Sequence, residues 1–176
     1  MRTRTLVVCR ERQLIWDLAA EPALCDNDDH DHQQRELHVH RDPVRLPDGT
    51  VINAVSYDPG QPCDRDEEPD FGLYLDPRWE APWDHDHLGW PDFGVPEDQA
   101  QVKAALESLI QRSRDGQTVE LGCVGGHGRT GTALATAAVL TGLDPSEAVG
   151  WIRATYCAEA VETSAQESFV VSAGSR

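Results

Sequence analysis

What this chain can fold into is constrained most by Leu121-Gly122-Cys123-Val124-Gly125-Gly126-His127-Gly128-Arg129-Thr130-Gly131-Thr132. A β-prone run, Thr118-Val119-Glu120-Leu121, leads into one cysteine. Three glycines follow within five residues, then an arginine and a run rich in alanine and leucine. Strand, tight loop and helix in that order make an anion cradle. The glycines allow successive backbone N–H groups to turn inward, and a helix N-terminus adds partial positive charge. Arg129, at the start of the helix, can fork two N–H bonds onto a tetrahedral oxyanion. A thiol at the centre of such a nest is expected to ionise readily, because the donors and the dipole favour the thiolate. These residue types imply a sulfur nucleophile aimed at phosphorus, with Val124, Gly125, Gly126, His127 and Gly128 lining the substrate.

The rest of the chain reads as the scaffold for that loop. Residues 5–9 suggest a first strand, and Arg10 to Ala20 fits either a strand or a short helix. Leu37-His38-Val39-His40-Arg41 alternates as a half-buried strand does. Pro47-Asp48-Gly49-Thr50 has turn chemistry, and Val51-Ile52-Asn53-Ala54-Val55 follows as a strand, giving an N-terminal antiparallel hairpin. Asp58 to Asp70, rich in proline and acidic residues, reads as a loop, and Phe71 to Leu75 as another strand. Apolar positions Val102, Ala105, Leu106, Leu109 and Ile110 recur at helical spacing between Glu97 and Arg114. A helix is expected from about Arg129 to Thr141. Asp144-Pro145-Ser146-Glu147 signals another helix start running on to about Tyr156, and a last short helix begins near Thr163 or Ser164. The expected fold is an α/β domain: a mixed central sheet of about five strands with helices on both sides. The nucleophile belongs at the C-terminal end of a parallel strand. We expect one domain over residues 1–176, with 1–70 a variable N-terminal part and 71–172 the catalytic core.

Cys123, five intervening residues, and then Arg129-Thr130-Gly131 resembles the signature loop of the cysteine-dependent protein tyrosine phosphatases, closest to the compact dual-specificity and bacterial branch. Trp90-Pro91-Asp92-Phe93-Gly94-Val95-Pro96, about thirty residues before Cys123, is similar to the mobile acid loop of that family at Trp-Pro-Asp. The resemblance covers about residues 71 to 172. It implies a phosphomonoester hydrolase of protein-tyrosine or dual specificity working through a cysteinyl-phosphate. Asp92 would act as general acid and then general base, with Trp90 and Pro91 as the loop hinge. Thr130 would steady the departing thiolate. Gln166, in Val161-Glu162-Thr163-Ser164-Ala165-Gln166, would orient the hydrolytic water; the plainer alternative is a solvent-facing helix glutamine. No cofactor or metal is implied, because the nest itself supplies the positive field. Substrates would be phosphorylated proteins or small phosphate esters.

Two departures stand out. The family usually has a histidine directly before the nucleophile, where this chain has Gly122. His127 lies within the loop, and either assists the sulfur or points outward to substrate. A non-catalytic phospho-recognition module is therefore the alternative to an enzyme, although an acid on a swinging loop is of no use to a pure binder. A nucleotide-binding loop is excluded, since Arg129-Thr130 stands where that motif needs lysine. Cys157 is either a resolving thiol for Cys123 or buried filler. Cys9, Cys25 and Cys63 receive no role. Asp84-His85-Asp86-His87 places two histidines on one strand face but lacks a third metal ligand. The acidic run Asp26 to His32 reads as a solvated loop. Trp79 and Trp83 read as packing that also supports the acid loop.

A formal charge of −16 argues against nucleic acid and anionic membranes as partners. No apolar run approaches the ~20 residues of a membrane span. Five cysteines at irregular spacing do not read as a disulfide framework, so a reducing cytoplasm is expected.

Overall fold

The fold was analysed in a computed structural model, which describes residues 40–56 and 67–174. The expectations for residues 5–20 and 26–32, and those for Cys9, Cys25 and Cys63, fall outside the described residues. The same holds for the start of the 37–41 strand and most of the 58–70 loop. All described residues belong to one contact unit, Arg35–Arg176.

Five strands form one mixed sheet: β1 (Arg41–Arg45), β2 (Val51–Ser56), β3 (Phe71–Tyr74), β4 (His85–His87) and β5 (Val119–Cys123). Their order across the sheet is β1-β2-β5-β3-β4. β1 and β2 make the expected hairpin, with Arg45 opposite Val51, while β2, β3 and β4 run parallel to β5 or to each other. β1 takes up the end of the strand expected over 37–41 and continues through Pro43 to Arg45. A proline is tolerated there since β1 is an edge strand and one of its sides needs no N–H donors.

Alternation divides the strands into two faces. Ile52, Ala54, Phe71, Leu73, Val119, Leu121 and Cys123 point into the main core. Four helices cover that face: α1 (Gln99–Arg114), α2 (Gly128–Leu140), α3 (Ala148–Thr155) and α4 (Ser164–Ser172), each contributing buried apolar residues to it. Full burial of one such Leu or Phe side chain is worth about 1.5–3 kcal/mol. Helices were expected on both sides. Among the described residues the opposite face instead carries Val55, Tyr74 and Trp79, with Ala81 and Trp83 against them. Tyr74 stacks on Trp79 at 3.9 Å between centroids, accepts from Trp83 Nε1 (2.6 Å) and donates to buried Glu120 (2.5 Å). Trp79 and Trp83 thus pack behind the sheet.

Helix starts follow their caps. Asp98 Oδ1 accepts from Gln101 N–H and opens α1, and Thr163 with Gln166 forms a complete capping box at α4. The helix expected from Asp144 begins only at Ala148. Asp144 Oδ1 is taken by the N–H and hydroxyl of Ser146, two residues on, so the first residues form a turn.

Candidate active site

Cys123 ends β5 and Gly128 begins α2, so four loop residues separate the strand from the helix. The sulfur is buried, and the Thr130 hydroxyl donates to it at 3.0 Å. Arg129 sits in the first turn of α2 with its side chain only 7% exposed. Its Nη1 donates to Leu75 O (3.3 Å), Trp90 O (3.5 Å) and Asp76 Oδ2 (3.2 Å), and its Nη2 faces Asp92 Oδ1 at 3.3 Å. A cavity of about 140 Å³ is lined by Asp92, Phe93, Cys123, Val124, Gly125, His127, Gly128, Arg129 and Glu162. Nucleophile, guanidinium and carboxyl therefore open onto one small space. A larger cleft of about 500 Å³ lies at the other end of β5 and carries no thiol among its lining residues.

The acid loop is anchored at its base, and at its exposed tip Asp92 faces Arg129 Nη2 while Phe93 O accepts from Thr163 Oγ1 at 3.3 Å. Trp90 is buried, packs against Phe169 of α4 at 5.5 Å, and donates from Nε1 to Gly94 O at 3.0 Å. Pro91, Asp92 and Phe93 are exposed, and Phe93 adopts φ 54°. The Gln166 side chain is fully buried. Its Oε1 accepts from the N–H groups of Glu162 (2.8 Å) and Thr163 (3.3 Å), and its Nε2 donates to Gly94 O (3.4 Å). Gln166 is thus a capping-box residue that also grips the acid loop, in place of the solvent-facing glutamine considered above.

Gly126 is not among the cavity-lining residues. Its φ is 74°, a Cβ there would stand 2.8 Å from His40 Cδ2, and its carbonyl accepts from Tyr156 Oη at 2.6 Å. Glycine is required on both counts. Burial pushes the Tyr156 phenol far above its ordinary range, and the neighbouring Cys123 charge adds to this, so Tyr156 stays a donor. Gly122 also has a structural cause. A Cβ there would meet Val55 Cγ2 and Val55 O, each at 2.6 Å, so β2 fills the space that a histidine before the nucleophile would need. His127 turns its Nδ1 to His40 Nε2 and Cys157 Sγ, at 3.3 Å from each. His85 and His87 share a strand face as expected, but each faces a backbone carbonyl, Trp83 O and Trp79 O.

Three residues of this site were not selected from sequence. Asp76 is buried against Arg129, and its carboxyl is held well below the ordinary carboxylate range, mainly by the Arg78 guanidinium, with Arg129 adding to this. Asp76-Pro77-Arg78 follows the strand that packs beside β5, and that adjacency is the only signal that could have found it. His40, just before β1, and Tyr156, just after α3, back the loop, with ring centroids 4.8 Å apart. Neither carries a local sequence signal.

Comparison with known proteins agrees with this geometry. Residues 83–170 match the family described as Swiss Army Knife protein, DSP-PTPase phosphatase domain. Two uncharacterized proteins of Methanocaldococcus jannaschii are each 38% identical, over 80 and 82 residues, or 46% of this chain. Those stretches are 52% and 48% of their lengths, so the chain spans about half of the curated relatives it matches. Among solved structures, Tk-PTP in its active form is 28% identical with a TM-score of 0.55, over 61% of this chain and 80% of that one. Kinase associated phosphatase, with its catalytic-site cysteine replaced by serine, gives a TM-score of 0.62 over 76% of this chain and 93% of that one. At 15% identity, that likeness shows the fold alone. No helix among the described residues is long and apolar enough to cross a membrane. The match over half of the chain takes in Asp92, Cys123, Arg129, Thr130 and Gln166, and the chain belongs to the DSP-PTPase phosphatase domain family of the Swiss Army Knife proteins.

Proposed function

We propose that the chain hydrolyses phosphomonoesters, protein phosphotyrosine or mixed phosphoprotein substrates foremost, through a cysteinyl-phosphate. The observation that carries this reading is the convergence of Cys123, Arg129 and Asp92 on one cavity of about 140 Å³. Cys123 Sγ attacks phosphorus in line while Asp92 gives its proton to the leaving oxygen. Arg129 and the N–H groups at the start of α2 hold the equatorial oxygens and the charge that builds on them. Water then attacks phosphorus, Asp92 takes its proton, and the Thr130 hydroxyl receives the departing sulfur, from which it already stands 3.0 Å. In this reading Gln166 Nε2, bonded to Gly94 O at 3.4 Å, turns to steady that water when the acid loop swings. Small phosphate esters fit the same cavity. A reducing cytoplasm suits a free thiol nucleophile.

Phosphate release from an aryl phosphate in excess chelator tests the mechanism. Turnover should persist in chelator and vanish in Cys123→Ser. Turnover that needs a metal, or that survives Cys123→Ser, overturns it. The Gly122 departure motivates a phospho-binding module, and that reading would be favoured by tight binding with equally negligible turnover in wild type and Asp92→Ala.

A further inference from the structure

His40, His127 and Cys157 come from just before β1, from the loop after β5 and from just beyond α3, yet their ligand atoms converge. His127 Nδ1 stands 3.3 Å from His40 Nε2 and 3.3 Å from Cys157 Sγ. One ligand atom from each residue lies within 4.8 Å of the other two. His40 lies against Gly126, where an added Cβ would stand 2.8 Å from its Cδ2. We propose that they form a Zn²⁺ site that ties the Cys123–Arg129 loop to β1 and to the end of α3.

The distances suit that ion. With Zn–N about 2.0–2.1 Å and Zn–S about 2.3 Å, two ligands of a tetrahedral centre stand about 3.3–3.6 Å apart. Two of the three separations already lie at that value, and the third closes by about 1 Å from its 4.8 Å limit. The donor set is equally selective. Two imidazole nitrogens and a thiolate suit zinc, while calcium and magnesium require oxygen. Asp42 Oδ2 lies 3.5 Å from the other ring nitrogen of His40, where a carboxylate orients a metal-binding histidine. His127 and Cys157 are half-buried, while His40 is 1% exposed. As the Zn–S bond forms, the Cys157 thiol proton passes to solvent. Asp92 and Arg129 are not among its ligands, while His127 also lines the cavity around Cys123, so the metal site and the reaction share that loop.

The test uses the full chain in a Cys123→Ser background, so that the nucleophile cannot act as ligand. Co²⁺ should give a thiolate-to-metal charge-transfer band that about one equivalent of Zn²⁺ displaces and Mg²⁺ does not. Adding Cys157→Ser should abolish the band, and His40→Ala or His127→Ala should weaken metal affinity about 100-fold or more. Asp42→Asn should weaken it about 10-fold. A band that survives Cys157→Ser, or the absence of any band in the parent, overturns the proposal. Alkylation of Cys157 in the Cys123→Ser chain, mapped by mass spectrometry, gives a second reading that needs no further substitution. Zn²⁺ should slow it at least tenfold, and an unchanged rate counts against the site.

Discussion

Asp76→Asn should damage both the fold and the proposed reaction, because it removes the charge beneath the Arg129 guanidinium. Arg129 and Asp76 side chains are only 7% and 4% exposed, and Nη1 lies 3.2 Å from Oδ2. Removing one partner of a buried ion pair costs about 3–5 kcal/mol. Arg129 retains Leu75 O, Trp90 O and Asp92, and asparagine retains one oxygen, so the cost falls to the bottom of that range or just below it, about 2–3 kcal/mol. For a chain of this size that lowers Tm by about 5–10 °C. A guanidinium displaced by an ångström costs about 10²-fold, so kcat/KM should fall by roughly that factor. Arg78→Ala is the control. Arg78 also pairs with Asp76, but its side chain is 72% exposed, and the loss should stay within about 1 kcal/mol. Thermal melts and aryl phosphate kinetics on the two variants suffice. An Asp76→Asn protein that melts with wild type and keeps kcat/KM within about threefold would refute the claim that Asp76 positions Arg129.

Acid should separate the same pair of proteins. The folded Asp76 carboxyl titrates below its ordinary value of 3.8, so its contribution is complete above that value and is lost only as pH falls through the lower folded value. The Tm gap between wild type and Asp76→Asn should therefore hold steady from neutral pH to about pH 5 and shrink only below about pH 4; a gap that closes at neutral pH contradicts this. Gly122→His, which restores the residue usual in the family, should destabilise the chain by about 1–3 kcal/mol, since its Cβ meets Val55 at 2.6 Å; a denaturant midpoint at or above wild type would show that β2 yields freely. Asp92→Asn should lower kcat by about 10²–10⁴-fold on an alkyl phosphate and far less on a nitrophenyl ester, which needs no acid. Equal losses on both would deny Asp92 the acid role. Tyr156→Phe should cost about 1 kcal/mol by removing the hydrogen bond to Gly126 O, measured by chemical denaturation; no change would mean the loop needs no such support.

Much of the fold was legible because its signals are local. The turn at Pro47–Thr50 and the apolar spacing of Val102, Leu106, Leu109 and Ile110 each fix an element within a few residues. Boundaries slipped where tertiary context outweighed local chemistry. β1 continues through Pro43 because only an edge position asks nothing of a proline N–H, and the α3 start moved because Ser146 captured the Asp144 carboxyl. Gln166 is the instructive case. It was expected to orient water or to face solvent, and in the structure its Oε1 is engaged by two backbone N–H groups.

Sequence alone marked the candidate reacting parts, because the strand–loop–helix signals around Cys123 and Arg129 are local, and both open onto one cavity with Asp92. The Trp90–Pro96 segment was equally readable, being one contiguous stretch. Tertiary structure decided what lies beneath and behind them: Asp76 under Arg129, Val55 against Gly122, and His40, Cys157 and Tyr156 around the back of the loop. These partners are separated from the loop by tens of residues. They meet it only because β5 lies between β2 and β3, and α3 returns the chain to the same end of the sheet. No spacing along the chain encodes that meeting; the order of strands does.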